Sequence, residues 1–194
     1  MATITTRPAT AKRWDDVVAA MTGGGDGGNC WCRWFHLTST QWQATSVSER
    51  RAALEAEVAA GPPRGLVAYV DGAPAGWLRV APRVEQGRIT RSRIPRASAV
   101  PMRDPSVWAI TCVQVRREHR GLGVVGVLVA GAIAFAREQG ASVLEAYPID
   151  TTVAQVSDDD LYHGPASAFL AHGFTEVARP APARPVLSLS LSLN

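Results

Sequence analysis

The sequence predicts a mixed α/β (α+β) fold built on a mostly antiparallel sheet of six to seven strands with about four helices. Three observations carry this. Residues Val107 to Val115 form a β-rich apolar run that passes through a charged turn and a glycine-spaced turn into a long apolar segment. Two largely apolar runs, Gly65 to Val70 and Ala75 to Pro82, flank an Asp71-Gly72 turn, the strongest short hairpin signal. The C-terminal segment alternates Leu with Ser, as a strand with one buried and one wet face does.

In chain order, Thr3 to Arg7 reads as an edge strand ended by Pro8. Thr10 caps an expected helix through Met21, with Val17, Val18 and Met21 on one side. The glycine run from Gly23 to Gly28 reads as a mobile loop. A second helix is expected from Ser48 to Ala60, although Ser48 and Arg51 form no complete capping box. After the hairpin, Arg83 to Arg103 is irregular, arginine-rich and free of interleaved aromatics, which reads as a solvated hairpin insertion. A β-α-β sequence follows: Val107 to Val115, Leu122 to Gln139, and Ser142 to Tyr147, with Gly140 as helix C-cap. A short helix from Pro165 to His172 and strands Phe174 to Ala178 and Val186 to Leu193 complete the chain.

Composition bounds the function. A chain of 194 residues with 46% hydrophobic and 19% charged residues suits one domain, 1–194, with a full core. The net charge of +3 and scattered arginines do not call for nucleic acid as a partner. Leu122 to Ala136 carries no charge, but about fifteen residues fall short of the roughly twenty that cross a bilayer, so no membrane is expected. Three cysteines offer no disulfide framework and the first residues carry no apolar signal, so the reading is cytoplasmic. Cys30, Cys32 and His36 lack a fourth ligand and the usual zinc spacing, so no metal is expected.

The most chemical segment is Arg120-Gly121-Leu122-Gly123-Val124-Val125-Gly126. A strand, a glycine turn and a helix start gather backbone N–H groups around one point, where the helix dipole favours an anion. The pattern is similar to the signature of the GCN5-related N-acetyltransferase (GNAT) superfamily, Gln/Arg-x-x-Gly-x-Gly/Ala. A second match is the short helix ending in Gly173-Phe174. The resemblance spans nearly the whole chain.

It implies a sheet whose fourth and fifth strands splay apart, acetyl-CoA as co-substrate, and transfer of the acetyl group to a primary amine by direct attack. Backbone groups of Val113 and Val115 would bond the pantetheine, and amides from Gly121 to Gly126 the pyrophosphate. The acceptor is expected to be a small molecule or peptide, and the protein a monomer or homodimer. Two positions depart from the pattern: Val125 stands where Gly or Ala is usual, and Phe169 where many members carry the tyrosine that protonates the leaving thiolate. These departures leave open a sensor that binds acyl-CoA without turnover. Acylation of a protein or aminoacyl-tRNA rests only on the arginine-rich stretch.

Each remaining candidate has a plain alternative. Glu145, an acid in an apolar strand, is a general base or amine anchor, or else a solvated strand residue; Tyr147 and Asp150 share its neighbourhood. Tyr162 and His163 precede the short helix and are the candidates for the missing acid, or simply loop surface. Ser167 bonds the coenzyme or only caps its helix. Trp31 and Trp34 cover the acceptor mouth or pack in the core. Cys112 reads as a small buried apolar residue.

Overall fold

The structure is a computed structural model that describes residues 2–157 and 161–191. Its strands are β1 (Ile4–Pro8), β2 (Gly65–Val70), β3 (Ala73–Pro82), β4 (Val107–Val115), β5 (Val143–Ala146), β6 (Thr175–Ala181) and β7 (Arg184–Ser190). They form one sheet in the order β1-β2-β3-β4-β5-β7-β6, and every pairing is antiparallel except β4 with β5. The continuation of the last strand expected over Ser192 and Leu193 lies outside the described residues. Pro8 closes β1 at the sheet edge, where a missing N–H costs no ladder bond.

The helices are α1 (Trp14–Thr22), α2 (Gly27–Cys30), α3 (Ser39–Ala44), α4 (Val47–Ala60), α5 (Val124–Glu138) and α6 (Ala166–Leu170). Thr10 does not cap α1; its hydroxyl accepts from Arg13 at 3.2 Å, and a single 3₁₀ turn, Ala11–Arg13, precedes the helix. The second expected helix is α4, and it does carry a complete capping box, two residues earlier than anticipated. Ser46 accepts from the Glu49 N–H at 3.2 Å, and the Glu49 carboxylate returns to the Ser46 N–H at 2.8 Å. The glycine run is partly helical as α2, and α3 has its own box between Thr38 and Gln41.

Two apolar layers sandwich the sheet. One is formed by α5 and α6 against Leu66, Leu78, Ile110 and Val113; the other by α1 and α4 against Val67, Trp77, Ala109 and Cys112. Burying each of these larger side chains is worth about 1.5–3 kcal/mol, so the β2–β3–β4 centre anchors both layers. The side-chain alternation along β4 breaks once. Arg79 pairs with Cys112 and Val80 with Ile110, so Thr111 is the extra residue of a bulge. Because strand side chains alternate with period two, that one residue reverses the sequel: Cys112 faces the α1–α4 layer and Val113 the α5 layer.

The arginine-rich segment is not a solvated hairpin. It folds as three 3₁₀ turns, Arg83–Glu85, Ile89–Arg91 and Pro95–Ala97. Arg83 explains why: it is fully buried and pins the segment to β5 through Glu145.

Candidate active site

Strand β4 outlasts its partner. Pairing with β5 ends at Ile110 and Ala146, while β4 continues to Val115, so the two strands part toward their C-terminal ends. Two cavities flank this gap.

The first, of about 390 Å³, is lined by Val113, Val115, Arg120, Gly121, Gly123 and Val124, with Val125, His119, Leu161 and Gly164 around its rim. Gly121 and Gly123 have φ of +78° and +86°, left-handed values that side-chain-bearing residues adopt at a cost. Gly123 is the N-cap of α5, and the amides of the helix's first turn point out of its start without intrahelical partners. The glycine turn and the free amides of the helix start thus share one wall of this cavity, with Val125 only partly buried beside them. Leu122 and Gly126 flank the loop without lining the cavity: Leu122 is exposed and Gly126 lies against His172.

The second cavity, of about 300 Å³, lies on the α1–α4 face between Met21, Asp26, Cys30, Trp34, Phe35 and Trp42. Cys32 and Cys112 also line it. Gln114 and Tyr162 line both cavities and form the wall they share. Gln114 projects here because of the Thr111 bulge. Sequence reasoning passed over Gln114, although an amide side chain within Val-Gln-Val was a visible signal. It also passed over Asp26, hidden in the glycine run read as a loop, and Trp42, in a stretch given no element.

Segment 161–166 runs through the gap. The Val113 N–H donates to the Tyr162 carbonyl at 2.7 Å, Ile149 N–H to the Gly164 carbonyl at 3.0 Å, and Ala166 N–H to the Ile149 carbonyl at 2.8 Å. The backbone donor of Val113, expected to meet a ligand, is thus taken up by the chain itself. Tyr162 stacks on His163, with ring centroids 4.5 Å apart, and His163 meets Phe35 at 5.5 Å. Burial drives the His163 imidazole down to about 3, so it is neutral near pH 7. Phe169 is buried edge-to-face on Phe174, at 5.5 Å.

Four candidates stand elsewhere. Glu145 is fully buried and lines neither cavity: Arg83 donates to its Oε2 at 2.7 Å, the Tyr147 hydroxyl donates to the same oxygen at 2.6 Å, and Ser98 donates to Oε1. Neither its position nor its saturation with donors matches the expectation of a base. Tyr147 is buried behind it, and burial together with the Glu145 charge pushes its phenol well up. Ser167 is exposed beside Asp150 and Leu170, away from the glycine turn. Trp31 is buried against Trp14, with centroids 6.2 Å apart, and only Trp34 of the expected pair reaches the second cavity.

The ionic groups near the second cavity are arranged beneath it. Arg33 and Arg79 reach Glu57 at 2.5 and 2.8 Å. Burial works to raise the Glu57 carboxyl, but the two guanidinium groups override it and hold it near 2. His36 is driven down to about 3 by burial and by the same arginines. Burial and the neighbouring Cys32 raise the Cys30 thiol to about 11. Trp77 Nε1 donates to Cys32 Sγ at 2.9 Å. Among the described residues no group of three or more His, Cys, Asp or Glu is placed to hold a metal ion, and no helix is long and apolar enough to cross a membrane.

Comparison with known proteins agrees with this geometry. Residues 31–163, more than half of the chain, match the model of the acetyltransferase (GNAT) family. No curated protein matches. Among solved structures the chain is similar to yncA from Salmonella typhimurium, determined with its cofactor acetyl-CoA, at 18% identity and a TM-score of 0.54 over 98% of this chain and 95% of that one. It is similar to an N-acetyltransferase from Staphylococcus aureus Mu50 at 14% identity, TM-score 0.53, over 98% and 99% of the two chains. The PaiA N-acetyltransferase from Thermoplasma acidophilum, in complex with coenzyme A, aligns at 10% identity and TM-score 0.51 over 97% and 99%. Such identities speak for the fold alone; the matched span, which includes the parted strands, the glycine turn and the wall between the two cavities, makes the chain a member of the GNAT acetyltransferase family.

Proposed function

We propose that the protein, acting as a single domain, transfers an acetyl group from acetyl-CoA to a primary amine of a small molecule or peptide. The observation that carries this reading is the pair of cavities meeting at Gln114 and Tyr162 on the free end of β4. Arg120 and the turn from Gly121 to Gly126 would hold the pyrophosphate, the helix dipole adding to the amide donors. Val115 lies two residues beyond Val113 on the same side of β4 and would present its backbone to the pantetheine. The amine would enter from the aromatic cavity.

The balance of the reaction defines what the residues must do. The acceptor arrives as an ammonium and must lose one proton before its nitrogen can attack. An N–C bond forms, the C–S bond breaks, and a second proton leaves the nitrogen. One proton ends on the sulfur and the other in solvent. Tyr162, on the shared wall, supplies a hydroxyl where Phe169 has none, and we assign it the protonation of the departing thiolate. Glu145 is given no part: a carboxylate held by Arg83, Ser98 and Tyr147 serves to anchor the 3₁₀ segment. Release of free thiol from acetyl-CoA in the presence of amines tests the reading. Turnover with any amine supports it, and Tyr162→Phe should then lower kcat more than it changes KM for acetyl-CoA.

One observation favours a second reading, a binding protein without turnover. The Val113 N–H, suited to stabilise a developing oxyanion, donates to Tyr162 instead. Tight acetyl-CoA binding with no thiol release from any amine would select that reading.

A further inference from the structure

We infer that the acceptor is a small aromatic amine carrying a single positive charge; this inference rests on the acetyltransferase reading above. The second cavity is small, about 300 Å³, at the lower end of the roughly 300–1,000 Å³ typical of ligand pockets. Its walls are aromatic and sulfur-bearing. Trp34 and Trp42 stand edge-to-face at 90° with centroids 5.1 Å apart, a corner shaped for a flat ring.

The charges restrict the occupant further. Arg88 lies 3.8 Å from the centroid of Trp34, and Arg50 lies 4.0 Å from that of Trp42. These guanidinium groups fix the two rings and already occupy one cation-binding face of each. A second positive charge on the acceptor would be driven against them. Beneath the cavity, Arg33 and Arg79 consume the carboxylate of Glu57. Among the described residues whose side chains line the cavity, Asp26 alone carries charge. One carboxylate matches one ammonium.

The position of Asp26 sets the direction of binding. The next residue, Gly27, lies so close to Gln114 that a Cβ there would be 3.5 Å from the Gln114 Cδ and 2.5 Å from the Met21 carbonyl oxygen. Asp26 is therefore held at the Gln114 end, beside the wall shared with the coenzyme cavity. An ammonium drawn to it arrives next to the thioester, and the ring extends back toward Trp34 and Trp42. Asp26 is exposed, so it serves as an anchor at the mouth, where the proton shed before attack passes to water.

The experiment compares 2-phenylethylamine and tryptamine with spermidine and with Nα-acetyl-lysine amide. Acetyl-CoA is first titrated calorimetrically; absence of binding would sink the acetyltransferase reading and this inference with it. With acetyl-CoA bound, thiol release is measured for each amine. The expected result is a kcat/KM for the arylalkylamines at least about tenfold above those of spermidine and the lysine derivative. Asp26→Asn should raise KM for tryptamine about fivefold, with a smaller change in kcat, and Trp34→Ala should erase the preference for aromatic over aliphatic monoamines. Quenching of tryptophan fluorescence by 2-phenylethylamine in the coenzyme A-loaded protein gives a readout independent of turnover. Preference for spermidine or the lysine derivative, or no binding of either arylalkylamine to the loaded protein, would overturn the inference while leaving the acetyltransferase reading intact.

Discussion

The amide of Val113 and the carbonyl of Tyr162 are joined by a 2.7 Å hydrogen bond that closes the gap between the parted strands. A backbone bond of this kind nets only about 0.5–1.5 kcal/mol, which a ligand supplying its own acceptor can offset. The Val113 amide should therefore show slow hydrogen exchange in the free protein, and its amide resonance should move on addition of acetyl-CoA. If that resonance is unchanged at saturation, the coenzyme does not reach the segment around Tyr162.

Replacing Glu145 tests anchor against base. In Glu145→Gln the Arg83 guanidinium stays buried without its counter-charge, and breaking one partner of a buried pair costs about 3–5 kcal/mol. Urea denaturation should show a loss of that order. The double variant Glu145→Leu with Arg83→Met should recover most of it. A fully stable Glu145→Gln protein with an altered pH–rate profile would restore the carboxylate to catalysis.

The cradle glycine can be tested without bulk. A Cβ at Gly123 meets nothing within 4 Å, so Gly123→Ala introduces strain but no clash. Holding alanine at a φ of +86° costs about 1–2 kcal/mol. If that strain reshapes the turn, acetyl-CoA affinity should fall about five- to thirtyfold by calorimetry, with far-ultraviolet circular dichroism unchanged.

Acid should unfold the protein early. His36 and His163 are held neutral in the fold down to about pH 3, whereas in the unfolded chain they titrate near 6.5. Between those values the unfolded state binds more protons, so stability is complete above about 6.5 and declines as the pH falls toward 3. Glu57, near 2 in the fold, adds a further loss below about 4.5. Denaturation midpoints at pH 7.5, 5.5 and 4.5 should fall in that order, and His163→Phe should flatten the slope between the first two. A midpoint independent of pH from 7.5 to 4.5 would contradict the burial of both imidazoles.

Short-range signals were legible and long-range ones were not. The Asp71-Gly72 hairpin, the run from Val107 to Val115 and the glycine turn follow from local propensity, and the structure forms all three where expected. The ion pair of Glu145 was not legible because its partner Arg83 lies 62 positions away, and alternation along one strand cannot report a charge arriving from another segment. The Thr111 bulge left no trace because no glycine or proline marks it. The cap of α4 was written in Ser46 and Glu49 but obscured by Ser48, which offers the same chemistry two residues later. The aromatic cavity was half visible: the composition from Cys30 to His36 flagged it, but only the packing of α2 and α3 shows that Trp42, not Trp31, completes its wall.

The extra residue at Thr111 also bears on how such a protein can diverge. By reversing the alternation of β4, it assigns positions 112 and 114 to the α1–α4 side, where they line the second cavity, and positions 113 and 115 to the opposite layer. Changes at Cys112 reshape the second cavity alone and those at Val113 and Val115 the first alone, while Gln114 touches both. One strand thereby carries two inheritances, free to drift at separate rates.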